Sequence, residues 1–198
     1  MTPEGIDWKL VFVALTLLSN LAFLPYLRDI FRKRTQPHVY TWLIWVITQG
    51  TATAAMWYGG GGLAALGLTL GVLFVAFVFL LSFKYGTKNI TRGDTITLIA
   101  AFAGILVWWG LGEPVISVLM MSAIDALGYI PTFRKSYEEP WSETIASWGI
   151  FAVANIFAFA ALDAVNFLTV PYIATIGTAN ALLTIFLLVR RRNVPKPH

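Results

Sequence analysis

The sequence predicts an all-α membrane protein with seven transmembrane helices, built as two parallel three-helix repeats joined by a connector helix. The amino terminus is predicted to lie outside and the carboxyl terminus in the cytoplasm. Three observations lead to this fold. Of the 198 residues, 58% are hydrophobic and only 12% are charged, whereas a soluble domain carries about 25% charged residues. Long apolar runs recur without a polar face, and basic residues are concentrated in every second connection.

Seven stretches approach the roughly 20 apolar residues that a helix needs to cross the hydrocarbon core. The fourth and fifth stretches are the shortest, and only residues 110–114 separate them. One very long helix is the alternative there, but Pro114 after two glycines favours a turn. The predicted spans are residues 9–27, 39–57, 63–83, 95–109, 114–130, 143–162 and 167–189.

The connections between these stretches alternate in charge. Thirteen of the fourteen Lys and Arg residues lie at or after the ends of the first, third, fifth and seventh stretches, and Lys9 alone lies at the start of the first. The positive-inside rule therefore predicts that these four connections are cytoplasmic. Basic residues also stabilise the last turns of helices, and both explanations can hold. We expect an integral membrane protein, located in a bacterial plasma (inner) membrane, whose first apolar run is retained because the acidic start is unlike a signal peptide.

The two halves of the chain repeat one pattern of prolines and tryptophans. Each half has a proline near the end of an apolar helix, a basic turn, a second proline, and a tryptophan eight residues later. Both halves would run from outside to inside, so they are predicted to be parallel repeats, with the fourth helix restoring direction. Chance is the alternative, because proline and tryptophan commonly mark helix ends and interfaces. The matching residues are Pro25, Pro37 and Trp45, then Pro131, Pro140 and Trp148.

The repeat divides the chain into residues 1–84, a connector at residues 85–112, and residues 113–198 with the basic tail. Pro25 and Pro131 would remove a backbone donor near the cytoplasmic ends of the first and fifth helices. We therefore predict that these two prolines are hinges.

This twice-repeated pattern in a seven-helix chain resembles the PQ-loop and SWEET superfamily. The family's Pro-Gln pair is replaced here by Pro25-Tyr26 and Pro131-Thr132. The resemblance implies a small-solute transporter made of two three-helix bundles with the solute between them. The layout is also similar to that of the nicotinamide-riboside transporters, which implies a vitamin or nucleoside as one candidate cargo; sugars and amino acids are others.

Five polar residues fall near the middle of five predicted spans, at roughly 15 to 20 Å depth. The third and fourth spans contribute no comparable amide or carboxylate, so the other five helices are predicted to line a central cavity. Amides that only join packed helices are the alternative for each one. The predicted solute-binding residues at this depth are Asn20, Gln49, Asp125, Asn155 and Asn180.

Asp125 is the one ionisable residue in this set. A charged carboxylate at the bilayer centre costs roughly 3 kcal/mol or more, so such residues usually face a cavity and mark a proton or ion path. No basic residue lies at its depth, and desolvation then favours the protonated form. The alternative is a protonated Asp125 that links two helices by a hydrogen bond.

Trp45 and Trp148 are also predicted solute-binding residues, because their rings could stack on a flat solute. Both would lie one or two turns from the cytoplasmic surface, and anchoring at the membrane interface is the alternative. His38 is expected to be a solvated histidine of the cytoplasmic loop.

The sequence contains no cysteine and no motif for a metal site, a nucleophile elbow or a phosphate loop, so neither an enzyme nor a cofactor is predicted. The expected partners are a small polar or aromatic solute and membrane lipid, without nucleic acid, and a homo-oligomer stays open. The predicted function is alternating-access transport, proton-linked through Asp125. The alternative is a membrane receptor or assembly protein that uses the same fold without transport.

Overall fold

The computed structural model describes residues 7–58, 62–110, 113–160, 167 and 170–196, and all regular structure in this part is helical. The 3-10 turn Asn20–Ala22 joins α1 and α2 into one continuous segment, so the described residues form seven helical segments, as the sequence predicts. The helices are α1 Trp8–Ser19, α2 Phe23–Phe31, α3 Val39–Tyr58, α4 Gly62–Tyr85, α5 Arg92–Trp109, α6 Pro114–Glu138, α7 Ile145–Ala160 and α8 Val170–Asn193.

The fourth and fifth predicted spans are two separate helices. α5 ends at Trp109, α6 begins at Pro114, and the two helices pack against each other. Glu113 before α6 has an extended backbone, and Pro114 opens the helix where its missing N–H costs nothing. The alternative of one very long helix is therefore wrong.

Both predicted hinge prolines lie before the carboxyl-terminal ends of their helices as the structure has them. The predicted first and fifth spans stop at residues 27 and 130, but α2 continues to Phe31 and α6 to Glu138. Pro25 lies in the first turn of α2, where a missing N–H is tolerated. Pro131 lies in the interior of α6 and removes the N–H that would reach the Leu127 carbonyl. Whether either proline acts as a hinge stays a prediction.

The helices form two groups with matching internal contacts. In the amino-terminal group, α4 packs against both α1 and α3; in the carboxyl-terminal group, α8 packs against both α6 and α7. The groups meet where α1 packs against α7 and where α3 packs against α6. α5 packs on α6 and, less extensively, on α3. In each group, the third helical segment therefore contacts the other two.

Three helical stretches of the described residues are long and apolar enough to cross a membrane: Val13–Phe31, Leu66–Tyr85 and Val170–Asn193. Large apolar side chains on their outer faces are exposed, among them Leu73, Leu80 and Ile185. A bilayer would cover such a surface, and the helices satisfy their own backbone hydrogen bonds there. The predicted end of the sixth span at 161–162 and part of the seventh at 168–169 lie outside the described residues.

Three connections and the carboxyl-terminal tail meet, with the adjoining helix ends, at one end of the molecule. We call this the basic end and define it as residues 32–38, 86–94, 134–144 and 190–196. The Gln36 amide donates to the Ser142 carbonyl at 3.0 Å, and the Thr87 amide donates to the Pro37 carbonyl at 3.1 Å. Nε of Arg190 donates to the Tyr137 carbonyl at 2.7 Å. The connections that the sequence predicts to be cytoplasmic therefore share one end of the fold.

The two groups approach each other closely where α3 crosses α6 at Gly128. A Cβ added there would lie 2.8 Å from Nε1 of Trp45 and 3.2 Å from Cγ2 of Ile44. The indole cannot easily retreat, because Trp45 is buried and its Nε1 donates to the Asp125 carbonyl at 3.2 Å. A glycine is required at this crossing.

We expect Gly128→Ala to lower the melting temperature of the purified protein. Overpacking of a filled core costs about 1 to 3 kcal/mol, which outweighs a gain of up to about 1 kcal/mol in helix propensity. Gly50→Ala in α3 is the matched control, because nothing lies within 4 Å of its added Cβ. Thermal unfolding should show a lower melting temperature for Gly128→Ala and no decrease for Gly50→Ala. Equal melting temperatures of the two variants would contradict the crowded crossing.

Candidate functional site

A cavity of about 150 Å³ lies between the two helix groups. It is lined by residues from α1, α2, α3, α4, α6, α7 and α8 and by Asn20 of the 3-10 turn. The prediction that the third span does not line the cavity is wrong, because α4 contributes small or aliphatic residues to the wall, including Gly67 and Gly71, although it contributes no amide. Six of the seven predicted solute-binding residues line this one cavity: Asn20, Trp45, Gln49, Trp148, Asn155 and Asn180.

Aromatic rings make up much of the cavity wall. The ring centroids of Trp45 and Trp148 lie 5.8 Å apart, and those of Trp45 and Tyr129 lie 4.5 Å apart. Trp45 and Trp148 are each only 2% exposed. Both tryptophans are therefore inside the helix assembly, which disagrees with the alternative that they anchor the outer surface to the membrane interface.

The four amide side chains of the cavity differ in the hydrogen bonds that they make with other protein groups. Asn180 accepts a hydrogen bond from the Tyr129 hydroxyl at 2.9 Å, and Asn155 donates to the Phe151 carbonyl at 2.8 Å. Asn20 makes only long contacts with backbone carbonyls, at 3.3 to 3.4 Å. Gln49 makes no hydrogen bond with the described residues. Its amide is therefore the group with the most capacity to bind a solute.

Asp125 lies behind the cavity wall. It is fully buried, and its Oδ1 accepts a hydrogen bond from the Thr48 hydroxyl at 2.6 Å and a long one from the Tyr172 hydroxyl at 3.5 Å. Oδ2 has no partner among the described residues. Tyr172 itself lines the cavity and so connects it to the carboxyl. An ionised carboxylate with one bare oxygen is costly when buried, and a proton on that oxygen removes the charge.

Sequence reasoning missed a buried ion pair at the basic end. Nζ of Lys135 contacts Oε1 of Glu143, and both side chains are at most 1% exposed. The Tyr26 hydroxyl and the Trp148 Nε1 donate to the other carboxylate oxygen at 3.2 and 3.0 Å. The only signal in the sequence was an acid at the start of an apolar run, which is equally typical of a solvated helix end.

The expectation for His38 was wrong, because its side chain is fully buried. Nε2 of His38 lies 3.3 Å from Oδ2 of Asp94, but neither ring nitrogen makes a well-directed hydrogen bond within the described residues. Burial lowers the pKa of His38 to about 4, although the nearby Asp94 carboxylate opposes this shift. His38 is therefore neutral at physiological pH.

Asp94 is paired chiefly with Arg134. Nε of Arg134 donates to Oδ1 at 2.8 Å and Nη2 donates to Oδ2 at 2.7 Å, which is a bidentate pair. Burial alone would raise the pKa of Asp94, but the hydrogen bonds from Arg134 and Thr91 outweigh it and lower the pKa. This pair joins the start of α5 to the end of α6.

Comparison with family models, curated proteins and solved structures finds no match to this chain. The resemblance to the PQ-loop and SWEET superfamily therefore rests on the sequence pattern alone. Within the described residues, no group of three or more His, Asp or Glu side chains is placed to hold a metal ion.

The stability of the protein should depend on pH through His38. Its pKa is 6.5 when unfolded and about 4 when folded, so the unfolded chain binds the extra proton and stability is lost as pH falls from 6.5 to 4. The loss is roughly 3 kcal/mol at most. Unfolding measured across this window should lose that component in His38→Gln and keep it in His198→Gln, the only other histidine. An unchanged profile in His38→Gln would contradict the assignment.

Proposed function

We propose that the chain is a small-solute membrane transporter that works by alternating access between its two helix groups. In this proposal all seven segments cross a bacterial plasma membrane, the amino terminus is outside, and the basic end is cytoplasmic. α5 is the connector between two parallel three-helix units. The observation that carries the proposal is the cavity between the groups, which brings buried indole rings and side-chain amides to one place.

The matching contacts of the two groups support a 3+1+3 layout. The third helical segment of each group packs against the first and second, and the groups meet through equivalent pairs, α1 with α7 and α3 with α6. An internal repeat predicts this equivalence. The first helix of each unit should pack against the second helix of the other unit. Two pivoting halves around one site are the usual architecture of such carriers.

Hydrogen bonds between the groups at the basic end support a carrier over an open pore. The hydroxyls of Thr35 and Thr144 lie 2.5 Å apart, and those of Thr41 and Thr132 lie 2.9 Å apart. In both pairs one residue belongs to the amino-terminal group or its connection and the other to the carboxyl-terminal group. These contacts hold the groups together on one side of the cavity, as one state of an alternating-access cycle requires.

The cavity wall favours a small solute that combines a ring with polar groups. A few convergent amides in a largely apolar pocket are typical of a small-molecule site, and aromatic rings favour flat partners through stacking. Of the described residues that line the cavity, none carries a charge. The solute is therefore proposed to be polar or aromatic without a large net charge.

The experiment is a thermal-shift screen of vitamins, nucleosides, sugars and amino acids, followed by uptake of each positive compound into liposomes. A ligand at 100 times its dissociation constant stabilises the protein by about 2.7 kcal/mol. Absence of both a thermal shift and uptake across the panel would remove the support for a carrier. Binding without uptake would instead favour the receptor alternative.

Gln49→Leu should weaken binding of the compound that the screen identifies. Loss of one neutral hydrogen bond costs about 1 kcal/mol, or roughly fivefold in affinity. Gln36→Leu is the matched control, because Gln36 lies outside the cavity and its observed contacts are made by its backbone. Equal affinities of the two variants, measured by titration calorimetry, would exclude Gln49 from the solute site.

Asp125→Asn should remove the dependence of uptake on a proton gradient, because an amide keeps the hydrogen bond from Thr48 but cannot exchange a proton. We propose Asp125 as the proton-binding group for this reason. Uptake into liposomes should be compared with and without an imposed pH gradient. A gradient effect that persists undiminished in the variant would exclude Asp125 from the proton path.

A further inference from the structure

Glu143 is bonded on both carboxylate oxygens by residues from different parts of the fold. Oε1 contacts Nζ of Lys135 at the end of α6. Oε2 accepts hydrogen bonds from the Tyr26 hydroxyl of α2 and from Nε1 of Trp148 in α7. Tyr26 belongs to the amino-terminal group, whereas Lys135 and Trp148 belong to the carboxyl-terminal group. One buried carboxylate therefore joins the two groups.

Lys135 adds a second connection between the groups. Its Nζ also donates to the Gln36 carbonyl, in the connection that precedes α3, and to the Ser142 carbonyl at 3.3 Å. The Gln36 amide in turn donates to the same Ser142 carbonyl at 3.0 Å. The Lys135 side chain is completely buried. The ion pair with Glu143 thus lies within the closed basic end.

Trp148 connects this ion pair to the cavity. Its Nε1 donates to Glu143, while its ring lines the cavity. The centroid of this ring lies 5.8 Å from that of Trp45 and 6.0 Å from that of Phe151. An indole is rigid, so a change in the tilt of the ring also moves its N–H. A solute that repositions the ring therefore weakens a hydrogen bond to Glu143.

We propose that Glu143 is the coupling residue of the transporter: with Lys135 and Tyr26 it locks the basic ends of the two groups together, and through Trp148 it senses the solute. The lock itself needs no solute, and only the sensing step rests on the proposed function. A buried ion pair is stable only while its charges are fully bonded. Loss of one donor therefore favours separation of the groups, because water then solvates both charges.

The test uses the absence of cysteine from the chain, which makes Ser147→Cys a unique reporter. Ser147 is completely buried and donates to the Ala22 carbonyl of the opposite group at 2.7 Å. Its thiol should react with N-ethylmaleimide only when the groups separate. The rate is measured in purified protein in lipid nanodiscs and divided by the rate in denaturing detergent.

In this reporter background, Glu143→Gln should raise the labelling rate at least 10-fold. Glu139→Gln is the matched control, because Glu139 is exposed and its side chain makes no hydrogen bond to the described residues. The control should label at the rate of the reporter parent. If the reporter parent in nanodiscs labels as fast as it does in denaturing detergent, the basic end is not closed and the proposal is wrong.

Two further variants keep the test decisive if the single charge change prevents folding. Lys135→Met combined with Glu143→Gln removes both charges, and Tyr26→Phe removes only the hydroxyl from the amino-terminal group. The folded double variant should label about threefold faster than the parent, because it loses the bond from Lys135 to the Gln36 carbonyl without leaving a buried charge. Tyr26→Phe should also label about threefold faster. If the folded double variant labels at the same rate as the reporter parent, the proposed lock is wrong. If neither charge variant folds, an unchanged labelling rate in Tyr26→Phe excludes the lock.

Trp148→Phe tests the link to the cavity, because it keeps a ring and removes the N–H. It should raise the labelling rate about threefold, and an unchanged rate would remove Trp148 from the coupling. If the protein is not a transporter, no compound of the panel is taken up. The labelling rates of these variants should then still rise as predicted for the lock.

Discussion

The close crossing of α3 and α6 at Gly128 determines the arrangement of the candidate site. With no side chain at Gly128, the Trp45 ring lies directly against α6 and its N–H reaches the Asp125 carbonyl. One turn further along α3, the Thr48 hydroxyl reaches the Asp125 carboxyl. The same indole forms part of the cavity wall. The position of the acid and the shape of the cavity therefore depend on one helix crossing.

The two equivalent crossings between the groups are not chemically equal. If Pro25 is aligned with Pro131, Ser19 occupies the position of Asp125, and if Trp45 is aligned with Trp148, Phe151 occupies the position of Thr48. The α3–α6 crossing therefore has a hydrogen-bonded acid where the α1–α7 crossing has a hydroxyl and a phenyl ring. If the two halves are repeats, a change in the protonation of Asp125 affects the α3–α6 crossing and not the α1–α7 crossing. In the proposed membrane arrangement Asp125 is an intramembrane acid with no counterpart in the first unit, and intramembrane acids are typically functional groups.

Part of the site could be predicted from the sequence because depth along a helix is a matter of counting residues. Asn20, Gln49, Asn155 and Asn180 lie near the middle of their predicted spans, and all four line one cavity. The burial of His38 and the Lys135–Glu143 pair could not be predicted in this way. Their environment depends on which connections pack together, and a charged residue beside a turn looks solvated until that packing is known.

Gln49 differs from the other cavity amides in a way that bears on how the site can change. Asn155 and Asn180 are already bonded to the helices, whereas Gln49 has no such bond within the described part of the chain. A substitution at Gln49 therefore removes no side-chain hydrogen bond within the described residues. If the chain is the carrier proposed above, cargo preference can diverge at this position among its descendants while the helix contacts made by Asn155 and Asn180 are kept.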